Sequence, residues 1–213
     1  LAMTVTPANL PHLWETIRWG LQFENCRGVS FQPEFFSGRG HEDPTSRIQD
    51  RAGRRLNTAD LILGMVQQAD GGLTFDDFTP LPCGDPNCAT IGYLLRTPHG
   101  VRSVSEFVDF HEVQGFLRDK IRYKLEDLTQ CGCDNTALGD LLRQFELREK
   151  DTFRLFIKPF MDAWSWDEDR IDRCCTHVIR PDGSLDSFCR YYSGFEDCRP
   201  REAVPDRDQV RPG

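Results

Sequence analysis

Apolar residues alternate with polar or small ones in two short stretches near the start of the chain, and fall at helical spacing between them. LAMTVTP alternates as a buried strand does and ends at Pro7. Asn9 is placed to cap a helix in which Leu10, Leu13, Trp14, Ile17 and Leu21 share one face. GVSFQPEFF predicts a second strand, with Val29 and Phe31 on one face and Ser30 and Gln32 on the other. Strand, helix and strand at this spacing form a βαβ unit, so the two strands should be parallel. Ligands of such sheets sit beyond the carboxyl ends of the strands. Thr6, Ser30 and Gln32 are therefore the candidate cofactor-binding residues.

The polar stretch 41–56 reads as a loop, and Asn57 or Thr58 caps a helix through Leu61, Ile62, Met65 and Val66 that Gly71 and Gly72 stop. PCGDPNC, Pro82 to Cys88, is a turn leading into a strand from Ala89 to Leu95. TPHG then turns into a short strand, VRSV. Helices are predicted from Phe107 to Leu128 and from Thr136 to Leu147. FRLFIKPFMDAWSW, from Phe153 to Trp166, is also predicted as a helix, either as core or as the wall of an apolar channel. HVIRPDGSLDSF carries Asp182-Gly183 at the tip of a β-hairpin. The residues from 199 onward are expected to be a disordered tail.

The chain has 213 residues and a formal net charge of −8, which argues against general nucleic-acid binding by a basic surface. No apolar run approaches the ~20 residues needed to span a bilayer. The opening at Leu1 already reads as the inside of a fold, so an N-terminal part is expected to be missing.

Cysteine changes the picture. There are nine, and an odd number cannot pair completely. A disulfide-stapled scaffold is usually a shorter chain, so a metal or cluster site is favoured over a secreted disulfide protein. The hairpin brings Cys174 or Cys175 toward Cys189. Neighbouring residues of an extended segment point to opposite sides, so one of the Cys174-Cys175 pair should face Cys189. His177, two residues beyond Cys175, would share that residue's face. Cys83 and Cys88 lie in a turn whose free N–H groups could reach sulfur. Neither C-x4-C nor CC has the two-residue gap of a zinc knuckle, and spacing leaves zinc and an iron–sulfur cluster open. Cys131 and Cys133 are ambiguous, and Cys26 and Cys198 are taken as structural or incidental. Motifs for a nucleophile elbow, a phosphate loop, a dinucleotide fold or a zinc protease are absent.

RGVSFQPEFFSGR, FTPLPCGDPNCATIGYLL, IKPFMDAW, RIDRCCTHVIRPDG and SFCRYYSG occur in this order. Together they resemble the C-terminal half of a radical SAM family of the tetraether lipid synthase type, from about Leu1 to Gly194. The resemblance implies an α/β fold: residues 1–40 as the end of a radical SAM partial (β/α) barrel, and 57–198 as an α+β Cys-rich extension. It implies an auxiliary [4Fe-4S] cluster on Cys83, Cys88, Cys174 or Cys175, and Cys189, with zinc as the alternative metal.

The C-x3-C-x2-C signature that binds the S-adenosylmethionine-cleaving cluster is absent from these residues, so the intact enzyme would carry that second [4Fe-4S] cluster and S-adenosylmethionine elsewhere. The family tends to have FCAYN where this chain has FCRYY, which sets Arg190 beside Cys189. The implied reaction is hydrogen abstraction from an unactivated carbon. In the tetraether branch it joins lipid chains by a carbon–carbon bond; in other relatives a pterin is methylated. The implied partners are a small-molecule or lipid substrate and an electron-donor protein, in the cytoplasm or in peripheral contact with the inner face of the membrane. The rival readings are a zinc-stabilised binding domain and a standalone electron carrier.

Overall fold

The computed structural model describes residues 1–35, 55–81, 84–107, 151–162 and 165–193. The predicted loop lies outside this set except for its last two residues. So do both helices expected between Phe107 and Leu147 (Phe107 apart), Cys83, Cys131, Cys133, Cys198, Trp164 and the tail.

The first strand, β1 (Ala2–Val5), pairs in parallel with β2 (Gly28–Pro33), Met3 opposite Phe31. Between them a 3-10 turn (Leu10–His12) leads into α1 (Leu13–Leu21). Asn9 does not cap this helix as expected. Its side chain instead bridges back to the end of β1: Oδ1 accepts from the Thr6 N–H at 2.8 Å and Nδ2 donates to the Thr4 carbonyl at 2.9 Å. Proline at position 11 starts the turn as 3-10, so the capping role has moved away from Asn9. Along β2, Val29 and Phe31 are buried while Ser30 and Gln32 are half-buried on the other face, the period-two pattern of a strand.

Helix α2 (Thr58–Gln68) begins with a reciprocal cap: Asn57 Oδ1 accepts from the Asp60 N–H at 3.1 Å, and Asp60 Oδ2 accepts from the Asn57 N–H at 2.9 Å. It packs on α1, and Gln68 joins the two helices. Gln68 Oε1 accepts from the Trp14 N–H at 3.1 Å and Nε2 donates to the Leu10 carbonyl at 2.8 Å. Four further strands follow: β3 (Thr79–Pro80), β4 (Thr90–Thr97), β5 (Gly100–Ser103) and β6 (Thr152–Ile157).

The stretch from Phe153 does not form the predicted helix. It enters as β6, parallel to β2 and antiparallel to β4. TFRLFI alternates: Phe153, Leu155 and Ile157 are buried, Arg154 is exposed and Phe156 half-buried. Aromatic and β-branched residues at this period favour a strand, and Pro159 bars a helix from continuing through the segment. Within β6 the apolar residues are thus divided between two faces of the sheet, while Phe160, Met161 and Trp166 pack in a separate small cluster with Ile171 and Cys189.

The sheet order is β1-β2-β6-β4-β3, with β5 on β4. It is a mixed α/β sheet whose first three strands are parallel, and the described residues contain no closed barrel. One core lies between this sheet and the two helices: Val5, Leu13, Ile17, Phe31, Leu61, Met65, Phe153 and Ile157 are fully buried there. Burying each such side chain contributes about 1.5–3 kcal/mol. Among the described residues no helix is long and apolar enough to cross a membrane.

Beyond the sheet lie α3 (Glu168–Asp172), the hairpin β7 (His177–Ile179) and β8 (Leu185–Ser187), and α4 (Phe188–Ser193). The hairpin register sets Ile179 opposite Leu185 and Val178 opposite Asp186, with Gly183 at φ 83° in the turn. Arg180 pairs with the buried Asp186 across it.

Candidate metal centre

Strands β1, β2 and β6 run the same way, so their carboxyl ends meet at one edge of the sheet. The chain leaving β6 crosses this edge as Lys158, Pro159, Phe160 and Met161. Phe160 stacks on Phe35, just past the end of β2, with ring centroids 5.2 Å apart. Because β4 is antiparallel to β6, Thr90 stands opposite Ile157 and the residues before β4, Cys88 among them, arrive at the same edge.

A small cavity here is lined by three thiols, those of Cys88, Cys174 and Cys189, with Lys158, Arg170 and apolar neighbours completing it. Each thiol comes from a different element. Cys88 ends a turn whose N–H donates to the Asp85 carbonyl at 2.9 Å. Cys174 follows α3, and its Sγ donates to the Thr176 carbonyl at 3.1 Å. Cys189 sits in the first turn of α4, packed with Met161 and Ile171, and its Sγ accepts from the Met161 N–H at 3.4 Å. Burial pushes the Cys189 thiol up from its ordinary value; the Met161 N–H and the nearby Arg170 and Lys158 cations oppose that push, and Cys174 adds to it.

Cys175 lies outside the cavity and is exposed. Its Sγ would stand 3.5 Å from a Cβ placed on Gly84, close to the turn that ends at Cys88. Cys83 itself lies outside the described residues. Among the described residues Cys26, Cys88, Cys174 and Cys189 are free thiols. Cys26 precedes β2, at the opposite edge of the sheet, with its Sγ donating to the Gly28 carbonyl at 3.7 Å. His177 is exposed and does not line the cavity.

The three residues expected at the cofactor rim are distributed along the parallel pair. Thr6 directly follows β1, Gln32 lies near the end of β2, and Ser30 lies two residues earlier on the same face. Gln32 Nε2 donates to Ser30 Oγ at 3.4 Å. Thr6 is engaged by its backbone, as its carbonyl accepts from the Leu10 N–H at 3.0 Å. None of the three lines the thiol cavity. Lys158, Arg170 and the Met161 N–H were not singled out from the sequence. The only signal for them was that they lie in IKPFMDAW and RIDRCCTHVIRPDG, two of the stretches that carry the family resemblance.

The donor set fits a thiolate-bound group in kind. Soft sulfur ligands select zinc or iron–sulfur clusters, and backbone N–H groups on sulfur tune the latter. Two cations beside three thiols offset the charge that deprotonation would create. As they stand, no three His, Cys, Asp or Glu side chains among the described residues are arranged to hold a metal ion; a group bound by all three thiols would require them to draw together. Arg190, where the resembled family tends to have a small residue, points its cation toward acids: it lies 3.5 Å from Glu168 and 3.8 Å from Asp186.

Sheet and cavity thus define an α/β protein with a thiol-lined site at the carboxyl edge of its parallel strands. No protein-family model matches the chain. It is similar to the 7,8-dihydro-6-hydroxymethylpterin dimethyltransferase of Methanocaldococcus jannaschii, with 27% identity over an alignment 217 positions long that covers 78% of this chain. The match spans 42% of that relative's length, less than half of it.

Proposed function

We propose that this chain is the C-terminal part of a radical SAM-type methylase acting on a pterin-like heteroaromatic substrate, with an iron–sulfur cluster held by the cavity thiols. The observation that carries it is the convergence on one cavity of Cys88, from the turn before β4, with Cys174 and Cys189, from the two sides of the β7–β8 hairpin. The likeness to a pterin dimethyltransferase supports a methyl-transfer reading. It gives no support to the lipid carbon–carbon coupling that the resemblance to tetraether synthases implied.

In this reading Cys88, Cys174 and Cys189 are ligands, and Cys83, five residues before Cys88 in the sequence, is the fourth. When bound, the cluster supplies one-electron transfer, and S-adenosylmethionine, held with its own cluster by the rest of the enzyme, supplies the methyl and radical chemistry. The residues of this chain do the rest. Phe160, Met161, Ile171 and Phe188 exclude water from the sulfurs. The Met161 N–H orients Cys189 Sγ. Thr6 and Gln32, with Ser30 two residues further back along β2, present polar groups toward the strand ends for the cofactor or substrate. An electron-donor protein completes the cycle.

Anaerobic reconstitution tests the site. About four irons and four sulfides per chain are expected. Cys83→Ala and Cys189→Ala should each lose them, and Cys26→Ala should keep them. Zinc without labile sulfide, or equal iron in all three variants, would refute the assignment. For the reaction, the full-length enzyme with methyl-labelled S-adenosylmethionine and a 7,8-dihydropterin should yield a labelled pterin; an unlabelled pterin pool would refute the substrate class.

A further inference from the structure

Arg170 is held in an unusual position beside the thiols. It lies in the short helix α3 and lines the cavity together with Cys88, Cys174, Cys189 and Lys158. Its Nη2 donates to the Pro159 carbonyl at 2.6 Å, which anchors one arm of the guanidinium to the strand-end segment. Its Nε is buried and has no hydrogen-bond partner among the described residues. A buried donor left unpaired costs free energy, and a charged one costs more. The cavity it lines carries the sulfurs of Cys88, Cys174 and Cys189 beside Thr176 and apolar side chains, so thiolate sulfur is an acceptor the site offers that N–H. Lys158, half-buried, brings a second cation to the same wall, its Nζ 5.9 Å from the Phe160 ring centre.

We propose that Arg170, seconded by Lys158, sets the reduction potential of the thiolate-held group by donating its Nε–H toward sulfur and placing positive charge beside it. The proposal rests on the reading of the cavity as an iron–sulfur site. Its physical basis is general: reduction adds negative charge to a group already bearing thiolates, so a fixed cation and an N–H donor favour the reduced form and raise the potential. Arg170 is a positioning and tuning residue here and ligates nothing. The guanidinium suits the role because its fork can satisfy a carbonyl with one nitrogen and sulfur with another.

The test is a redox titration, followed by paramagnetic resonance, of the full chain reconstituted anaerobically. Parent, Arg170→Gln, Arg170→Lys and Lys158→Gln would be compared, with iron and sulfide counted in each. Arg170→Gln should hold the parent's iron and shift the reduction equilibrium about tenfold toward the oxidised form, about 59 mV for one electron. Arg170→Lys, which keeps the charge, should recover part of that shift. Lys158→Gln should move the midpoint the same way by less, and it decides the matter if Arg170→Gln does not fold. A loaded parent whose midpoint is shared by Arg170→Gln and Lys158→Gln overturns this inference and leaves the cluster reading standing. A parent that takes up no iron overturns the cluster reading, and this inference with it.

Discussion

Arg173 Nη1 lies 3.1 Å from Asp85 Oδ2, and this contact docks the turn that carries Cys88 onto the segment that carries Cys174 and Cys175. Asp85 is 5% exposed, and its other oxygen accepts from the Asn87 N–H at 2.8 Å, so one carboxylate shapes the turn and ties it down. Arg173 is half-exposed and also reaches Asp169, 3.5 Å away, which limits what the pair contributes. Asp85→Ala should cost about 1–2 kcal/mol in urea unfolding, most of it from the lost turn bond. Asp85→Asn, which can keep the bond to Asn87, should cost less. Equal losses would place the energy in the charge pair instead.

Gly84 is required where it stands. Its φ is +76°, and a Cβ there would lie 2.7 Å from the Arg173 carbonyl oxygen. Gly100, at φ +120°, has nothing within 4 Å of the same added atom. Gly84→Ala should therefore lower stability by backbone strain plus a clash, about 2–3 kcal/mol in all, and Gly100→Ala by strain alone, about 1 kcal/mol. Thermal melts of the two variants would read the difference; matching melting temperatures would mean that the turn does not press on the cysteine segment.

The buried Cys189 thiol should be a slow nucleophile in the metal-free chain. Its ionisation is pushed above the ordinary thiol range, chiefly by burial. Alkylation of Cys189, followed by peptide mass, should lag that of exposed Cys175 at neutral pH and catch up only at alkaline pH. The linkage has a definite sign. A thiol whose folded pKa is raised stays protonated in the native state while its unfolded counterpart ionises. Its stabilising contribution is full below the ordinary thiol pKa of about 8.5 and is lost as pH rises through that value toward the folded one. Unfolding free energies that rise with pH across this window would contradict the burial described.

Strand β6 gives an alternation test. Leu155 is 1% exposed in the core, whereas Arg154 beside it is exposed, its guanidinium 5.4 Å from the Phe156 ring centre. Leu155→Ala should cost about 2–5 kcal/mol and Arg154→Ala about 0.5 kcal/mol or less in denaturant unfolding. Comparable losses at 154 and 155 would contradict the strand alternation.

The regular elements near each chain segment were legible from local pattern, because period two and period 3.6 are properties of neighbouring residues. The strands at Ala2–Val5 and Gly28–Pro33 and their parallel pairing, the Asn57 cap and the Asp182-Gly183 hairpin follow from residues a few positions apart. FRLFIKPF failed as a local reading because its phenylalanines also fit a helical face, and only pairing with β2 and β4 selects the strand. The cysteines announced thiol chemistry by number and by the hairpin between Cys174 and Cys189. Their meeting with Cys88, which precedes Cys174 by 86 positions and Cys189 by 101, depends on β4 running against β6, which no spacing encodes. Nor does spacing show that Cys174 lines the cavity while Cys175 is exposed, or that Arg170 and Lys158 stand beside the sulfurs. Burial, charge and the direction of a side chain are settled by what packs around it, and those neighbours are brought by the tertiary fold.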